Sequence, residues 1–448
     1  MNKNDLVTVE ITGMTHDGAG VGRAGGMAVF VPNTAAGDTA EVRIVKVGSR
    51  FCYGRLERLL SPSPDREENT CPVYPRCGGC TFRHLSYQAE LRVKRERVRD
   101  ALVRIGGFSE PPVEEMLPSD AVCHYRNKAL IPIGRGKEGA ELGFYAARSH
   151  QIVPFESCLI QGDTANRVAQ VVRRWIDQYH ISIFDGTQGL LRHLYVRTAT
   201  DGAYLAALVA NGKKLPHWEA LLEALQREVP GLRSLVLNVN TGRNNVVLGD
   251  RCICLYGDGV LEDTLCGLRF RLSLLSFYQV NAPQAERLYR LIGDLAALDG
   301  TQTVLDLYCG TGTIGLSLAG RAKAGVGAEI IPQAVEDARL NAARNGIENA
   351  RFFCADAREA AKRFLAEELS PQVIVVDPPR KGCDGETLEA IVRMAPEKLI
   401  YMSCDCETMA RDAKYLAGQG YVLRRCIPAD LFPRTPHVEC VALMLKEK

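Results

Sequence analysis

The stretch from Thr303 to Gly315, TVLDLYCGTGTIG, constrains this chain more than any other. A β-branched, apolar run leads to Asp306 and then to a glycine turn, Gly310 and Gly312, that opens a helix-compatible segment. Glycine permits the left-handed backbone and the close approach that a strand–turn–helix ligand site requires. Gly310, Gly312 and Gly315 spell G-x-G-x-x-G and Glu329 ends the next strand, so a dinucleotide site is one reading. Asp306 argues against it, because a carboxylate at the strand's end repels a pyrophosphate and attracts a cation. S-Adenosylmethionine carries a sulfonium and an ammonium and no phosphate.

What surrounds this stretch supports a parallel sheet. Strands expected at 303–308, 324–329, 350–354, 372–376 and 398–402 alternate with helical segments, the pattern of a doubly wound α/β domain over 266–448. The end differs: YVLRRCIPADLFP and HVECVALMLK read as two antiparallel strands. Ligands bind above the carboxyl ends of parallel strands. There stand Asp306, Glu329, Asp356, Asp377 and Cys404, one after each successive strand.

Upstream, residues 4–60 alternate β-prone segments (Leu6 to Ile11, Met27 to Val31, Thr39 to Lys46, Phe51 to Leu59) with glycine turns at Gly18 to Gly26 and Ala36 to Asp38. Short strands at this spacing suggest a small closed barrel over 1–60. Ser61 to Thr70 is a polar, proline-bearing linker. Cys71, Cys77 and Cys80 follow in CPVYPRCGGC, a spacing that in a reducing compartment indicates metal ligands. The fourth ligand must come from Cys158 or Cys123, and four thiolates suit either zinc or an iron-sulfur cluster. A helix is expected from Leu85 to Ile105 with one strongly basic side, and between Arg83 and Arg104 stand Arg83, Arg92, Lys94, Arg95, Arg97, Arg99 and Arg104 against Glu90, Glu96 and Asp100. That side is either a solvated face or a phosphate-contacting one. The rest of a central domain, 61–265, reads as mixed α/β, with helices at Thr164 to Tyr179 and Pro216 to Glu228.

The formal charge of +2 neither requires nor excludes nucleic acid. With no run of 18 apolar residues and no apolar leader in MNKNDLVTVE, neither a membrane nor a secreted protein is expected, and the location expected is cytoplasmic.

The strand-end residues suggest a chemistry. Glu329 suits a ribose and Asp356 an adenine amino group. Asp377 begins DPPRKG, similar to the (D/N)-P-P-aromatic of amine methyltransferases, but Arg380 replaces the aromatic and counts against amine chemistry. Uracil C5 attacks a methyl sulfonium only after a thiolate adds to C6, and a base must then remove the C5 proton. Cys404 in KLIYMSCDC and Glu439 in PHVECV meet that need.

At this point the chain resembles, over essentially its whole length, bacterial 23S rRNA (uracil-5-)-methyltransferases of the RNA 5-methyluridine methyltransferase family. Residues 4–60 resemble the TRAM domain, and CPVYPRCGGC with Cys158 resembles the family's 4Fe-4S site. FYQVN, DLYCGTGTIG, DPPRKG, SCDCETMARD and HVE resemble its catalytic motifs. The resemblance implies a Rossmann-like class I methyltransferase domain, an RNA-binding barrel and a central iron-sulfur domain. It implies that Gln279, Tyr308, Thr313, Glu329, Asp356 and Asp377 bind S-adenosylmethionine. Cys404 would be the nucleophile, Glu439 the base, and Cys71, Cys77, Cys80 and Cys158 the ligands of a 4Fe-4S cluster. It implies a monomer acting on 23S rRNA, with tRNA as the alternative; a nucleotide-linked oxidoreductase and a non-catalytic RNA-binding module are the more distant rivals. SCDC departs from the family's S-C-N-P, and Asp405, if close, would raise the Cys404 pKa.

Overall fold

The computed structural model describes residues 1–367 and 370–447. Five strands, β1 (Leu6–Met14), β2 (Ala19–Ala24), β3 (Met27–Pro32), β4 (Thr39–Val47) and β5 (Phe51–Ser61), close into a barrel in the order β1-β2-β3-β5-β4. Strand β2 lies inside the stretch expected to be glycine turns. Its glycines serve crowding rather than turning: a Cβ on Gly20 would lie 2.1 Å from Thr34 Oγ1, and one on Gly22 would lie 2.2 Å from the Glu10 carbonyl oxygen. The barrel is filled by Val9, Ile11, Val29, Val31, Val42, Ile44 and Cys52.

Helix α1 (Tyr87–Arg104) begins at Ser86, whose side chain accepts from Ala89 N. The central region is a seven-stranded sheet of β6 (Lys128–Arg135), β7 (Ala140–Tyr145), β8 (Ile152–Pro154), β9 (Leu191–Thr198), β10 (Tyr204–Ala210), β11 (Leu232–Val239) and β12 (Arg251–Tyr256). It packs α2 (Asp163–Gln178) and α3 (Trp218–Glu228) over one core. A hairpin, β13 (Val260–Leu265) and β14 (Leu268–Ser273), leads to α4 (Ala282–Ala296).

The last domain alternates β15 (Thr303–Leu307), α5 (Thr313–Ala319), β16 (Ala324–Glu329), α6 (Pro332–Arg344), β17 (Ala350–Cys354), α7 (Ala357–Ala366), β18 (Val373–Val376), α8 (Gly385–Met394), β19 (Lys398–Ser403) and α9 (Cys406–Ala417). It finishes with β20 (Tyr421–Ala429) and β21 (Glu439–Lys446), and the sheet order is β17-β16-β15-β18-β19-β21-β20. The strands from β17 to β19 are parallel, while β21 inserts antiparallel between β19 and β20. Alternate residues feed two cores: Leu305, Leu307, Ile374 and Val376 face one side, Val304, Val373 and Val375 the other. Among the described residues no helix is long and apolar enough to cross a membrane.

Helix α1 packs its Leu91, Val98, Ala101 and Leu102 into the core of this last domain, against α9. Its basic residues divide: Arg92, Arg99 and Arg104 stay exposed, with Arg104 in an i,i+4 pair with Asp100, while Lys94 and Arg97 are engaged within the protein. Lys94 is buried, with Nζ 2.7 Å from Glu90 Oε1 and 2.7 Å from Asp430 Oδ1. Arg97 forks onto Glu407 at 3.0 and 3.1 Å and donates to the Pro436 carbonyl at 2.9 Å. Arg95 donates to the Glu114 carbonyl at 2.8 Å, and only Arg99 and Arg104 keep pairs confined to the helix, with Glu96 and Asp100.

Lys94→Met removes the cation between two buried carboxylates. It should lower stability in chemical denaturation by about 3–5 kcal/mol, whereas a solvated lysine would cost almost nothing.

Candidate active site

Above the parallel strands lies a row of carboxylates, of which Asp306 is buried and Glu329, Asp356 and Asp377 are half-buried. Asp306 is buried; its Oδ2 accepts from Gly315 N at 2.9 Å, and its Oδ1 has no hydrogen-bond partner among the described residues. That bond explains Gly315, where a Cβ would stand 3.1 Å from the same oxygen. Burial pushes Asp306 up to about 8 against the help of the Gly315 N–H, with smaller contributions from Asp377 and Glu329. Asp377, just beyond β18, is pushed up to about 7 by burial. Glu329 grips the two loops beside it, accepting from Gly310 N at 3.1 Å and from Ile331 N at 2.9 Å. Between these acids the backbone is bent at Tyr308, whose φ of 67° is left-handed. A tyrosine in that region is uncommon and belongs to a tightly determined turn.

The antiparallel strand supplies the other half. Ser403 pairs with Cys440 across β19 and β21, so Cys404 and Glu439 are the next residues on either side of one junction. Burial, then Glu439 and Asp377, push the Cys404 thiol up to about 11, and Arg380 draws it down. Glu439 is 2% exposed. Burial and then Asp377 hold it well above the ordinary carboxylate range, again opposed by Arg380. Glu439 Oε1 has no hydrogen-bond partner among the described residues. A buried, unpartnered carboxyl oxygen beside a thiol is an arrangement for moving protons rather than for stability.

The other expected residues divide. Thr313 opens α5, and its Oγ1 lies 3.2 Å from the hydroxyl of Tyr289, a buried residue that senses Asp377 and Asp306. Gln279 is buried at the approach to α4, where Asn127 Nδ2 donates to its carbonyl at 3.0 Å. Asp356 does not stand free: it caps α7, accepting from Glu359 N at 2.8 Å, with Arg358 3.7 Å away. Asp405 likewise caps α9 by accepting from Thr408 N at 2.9 Å. The charges that raise the Cys404 pKa are therefore those of Glu439 and Asp377, not Asp405. Cys406 is fully buried.

Sequence reasoning passed over several participants. Arg380 was noted only for the aromatic it replaces, yet it is the cation acting on both Cys404 and Glu439, and its Nη2 lies 3.2 Å from His437 Nδ1. Burial and then Arg380 push His437 down to about 4, which leaves it neutral beside the guanidinium. Asn127, in HYRNK, holds Val280 as well as Gln279, through a 2.8 Å backbone bond. No pattern in HYRNK points to that contact.

Away from the cleft, Cys71, Cys77, Cys80 and Cys158 line one cavity of about 270 Å³, together with Arg83, Arg126 and Lys128. All four thiols are free. Cys123 is not in the lining, although Arg83, which is, interacts with both Cys80 and Cys123. Burial raises Cys77 and Cys158 and pushes Cys80 up to about 12, and the cysteines raise one another further. They are not drawn in around one point: among the described residues no three His, Cys, Asp or Glu are placed to hold a single metal ion.

Comparison with known proteins gives this geometry a family. Residues 86–448 match the tRNA (uracil-5-)-methyltransferase family, and residues 3–56 match the TRAM domain. An "Uncharacterized RNA methyltransferase" of Clostridium tetani is 40% identical over 447 residues, covering 99% of this chain and 97% of that one. One of the same description from Bacillus cereus is 41% identical over 447 residues, with the same two coverages. Among solved structures, Pyrococcus abyssi tRNA (uracil-54, C5)-methyltransferase in complex with S-adenosyl-L-homocysteine is similar with a TM-score of 0.77 and 27% identity. That match covers 98% of this chain and 100% of the other. The chain belongs to the tRNA (uracil-5-)-methyltransferase family: it is an S-adenosylmethionine-dependent RNA methyltransferase with a class I methyltransferase fold and an N-terminal TRAM barrel.

Proposed function

We propose that this chain, acting as a monomer, methylates C5 of a uridine in 23S rRNA, with Cys404 as nucleophile and Glu439 as base. The observation that carries the reading is the β19–β21 register, which puts a thiol and a buried carboxyl on one junction beside Asp377.

The chemistry follows from those groups. Cys404 Sγ, as thiolate, forms a bond to C6 of the uracil, and the electron pair displaced from the C5–C6 bond makes C5 enolate-like. S-Adenosylmethionine supplies, when bound, an electrophilic methyl group for C5 and a positive charge that favours ionised carboxylates around it. Glu439 then takes the C5 proton, the C5–C6 double bond re-forms, and the C6–S bond breaks to return Cys404. Arg380 favours the ionised forms of both Cys404 and Glu439. For the methyl donor we assign Gln279, Tyr308, Thr313, Glu329 and Asp377. Asp356 would contribute through the oxygen not spent on its helix cap.

The four cysteines line one cavity, and their donor set of four thiols suits a 4Fe-4S cluster. Cys71, Cys77, Cys80 and Cys158 would hold it with every iron ligated, a structural rather than a catalytic centre. A tRNA substrate is the second reading, and one observation favours it. The similar Pyrococcus abyssi tRNA enzyme spans 98% of this chain, barrel region included, so a barrel by itself does not select rRNA.

Three outcomes test these assignments. With 5-fluorouridine RNA and S-adenosylmethionine the wild type should form a covalent adduct stable to denaturation, and Cys404→Ala none. Glu439→Gln should stall after methyl transfer on ordinary RNA, and normal turnover would rule it out as the base. Mapping 5-methyluridine in rRNA and tRNA of cells with and without the gene identifies the substrate. Burial pushes Asp377 up to about 7 and Asp306 up to about 8, and a bound cation lowers a carboxyl pKa. Donor binding at pH 7 should therefore release protons, seen as a buffer-dependent heat in calorimetry, and Asp377→Asn should reduce that release without abolishing it. Anaerobically purified protein should contain about four irons per chain and absorb near ~400 nm, and Cys158→Ala should lose both; stoichiometric zinc would exclude the cluster.

A further inference from the structure

The segment from Pro378 to Asp384 carries Arg380 and lies in no helix or strand. Among the described residues its own backbone supplies one hydrogen bond, from Gly382 N to the Pro379 carbonyl at 2.8 Å. A loop so poor in internal bonds takes its shape from what grips it. One face of α9 does the gripping. Thr408, Arg411 and Asp412 stand at i, i+3 and i+4, positions that a helix stacks on one side. Thr408 Oγ1 donates to the Arg380 carbonyl at 3.1 Å, and Arg411 Nη2 donates to the Lys381 and Cys383 carbonyls at 2.9 and 3.3 Å. Asp412 Oδ2 accepts from Cys383 N at 2.9 Å.

Asp412 is the centre of this arrangement. It is 1% exposed, and besides Cys383 N it accepts from Tyr401 Oη at 2.7 Å and from Arg411 Nε at 2.8 Å. Tyr401 stands on β19, so one carboxyl binds that strand, helix α9 and the Arg380 loop. The fit is tight at Gly382, whose φ is 76°: a Cβ there would stand 2.6 Å from Asp412 Oδ2 and 2.6 Å from Arg411 Nη2. A buried carboxyl whose donors come from separate segments specifies one arrangement of those segments.

Cys404 lies where that arrangement matters. Strand β19 ends at Ser403, immediately before it, and α9 begins at Cys406, two residues after it. The groups that face its thiol are Glu439 and Asp377, which oppose ionisation, and Arg380, which favours it. An attraction between charges falls with distance and is screened by water, so a guanidinium that drifts outward with its loop loses its effect on the thiol.

We propose that Asp412 is a positioning residue for the methyl transfer: through Cys383, Arg411 and Tyr401 it fixes the loop 380–383 on α9, and so keeps the Arg380 guanidinium against Cys404 and Glu439. The proposal rests on Cys404 as the nucleophile and extends its support to a carboxyl buried beneath the loop. Thr408 and Arg411 are the outer members of the same clamp, and Gly382 is the residue that lets the loop close on it.

The test reads the Cys404 thiolate directly. The full chain, purified anaerobically, is alkylated with iodoacetamide at pH 8, and the rate at Cys404 is followed by mass spectrometry of the peptide that carries it. Only the thiolate reacts, so weaker support from Arg380 appears as slower alkylation. Arg380→Gln should slow it about tenfold. Asp412→Asn should slow it by a comparable factor, and the double variant no more than Arg380→Gln alone, because both changes act through one guanidinium. Thr408→Val loosens the same loop without touching the buried carboxyl, and should give a smaller loss in the same direction even if Asp412→Asn folds poorly. A merely structural Asp412 would lower the thermal midpoint and leave the Cys404 rate alone. A wild-type rate in folded Asp412→Asn or in Thr408→Val would overturn the proposal, as would single losses that multiply in the double variant or an Arg380→Gln without effect. The same proteins are given 5-fluorouridine RNA with S-adenosylmethionine. A wild type that forms no adduct would count against Cys404 as the nucleophile, while the alkylation rates still decide the role of Asp412.

Discussion

Ser403 and Cys440 are partners across the antiparallel junction of β19 and β21, and that register sets everything at the catalytic end of the sheet. A purely parallel sheet brings strand ends to one rim but leaves each on its own strand, at least one strand spacing from the next. Turning β21 back between β19 and β20 makes the start of one strand meet the end of another. A slip of one residue would carry Glu439 to the opposite face and exchange it for Cys440 or Val438. Both neighbours are buried and apolar, so the register is held by the core rather than by the site it serves.

The same rim gathers acids that would not choose each other's company. Burial pushes Asp306 up to about 8 and Asp377 up to about 7, and it holds Glu439 above the ordinary carboxylate range as well. Buried acids in one field exclude full ionisation at neutral pH unless a cation arrives. The cleft is thus matched to a positively charged methyl donor by what it lacks. Arg380 provides part of the compensation from the protein's own side, and the neutral His437 at 3.2 Å holds it without adding charge.

Much of this was legible in the sequence because parallel strands interrupt an apolar run at the same place each time. Asp306, Glu329, Asp377 and Cys404 could be found by reading where each hydrophobic stretch ends, and all lie at the rim. The method could not tell an acid facing a ligand from an acid facing its own backbone. Asp356 and Asp405 sit at the same kind of position, and both cap the helix that follows. Asp306 itself, the strongest signal, is turned inward onto Gly315. Strand β2 was hidden because its glycines relieve crowding in the barrel wall rather than form turns. Asn127 carried no signal and Arg380 only the negative one of a missing aromatic, since their contacts are made with distant segments.

The placement of α1 shows why chain order misleads about the site. By sequence the helix follows the cysteine loop, but its apolar face lies in the core of the last domain. Lys94 binds Asp430, and Glu90 accepts from Arg434 N at 2.7 Å, which fixes the loop of residues 430–438 from beneath. The same loop is held from the other side, because Thr81 N and Phe82 N donate to the Arg434 carbonyl at 2.9 and 3.2 Å. Cys80 adjoins Thr81, and Glu439 ends the loop. Residues 430–438 are therefore held between the cysteine loop and α1, through Arg434 and through the Lys94–Asp430 pair.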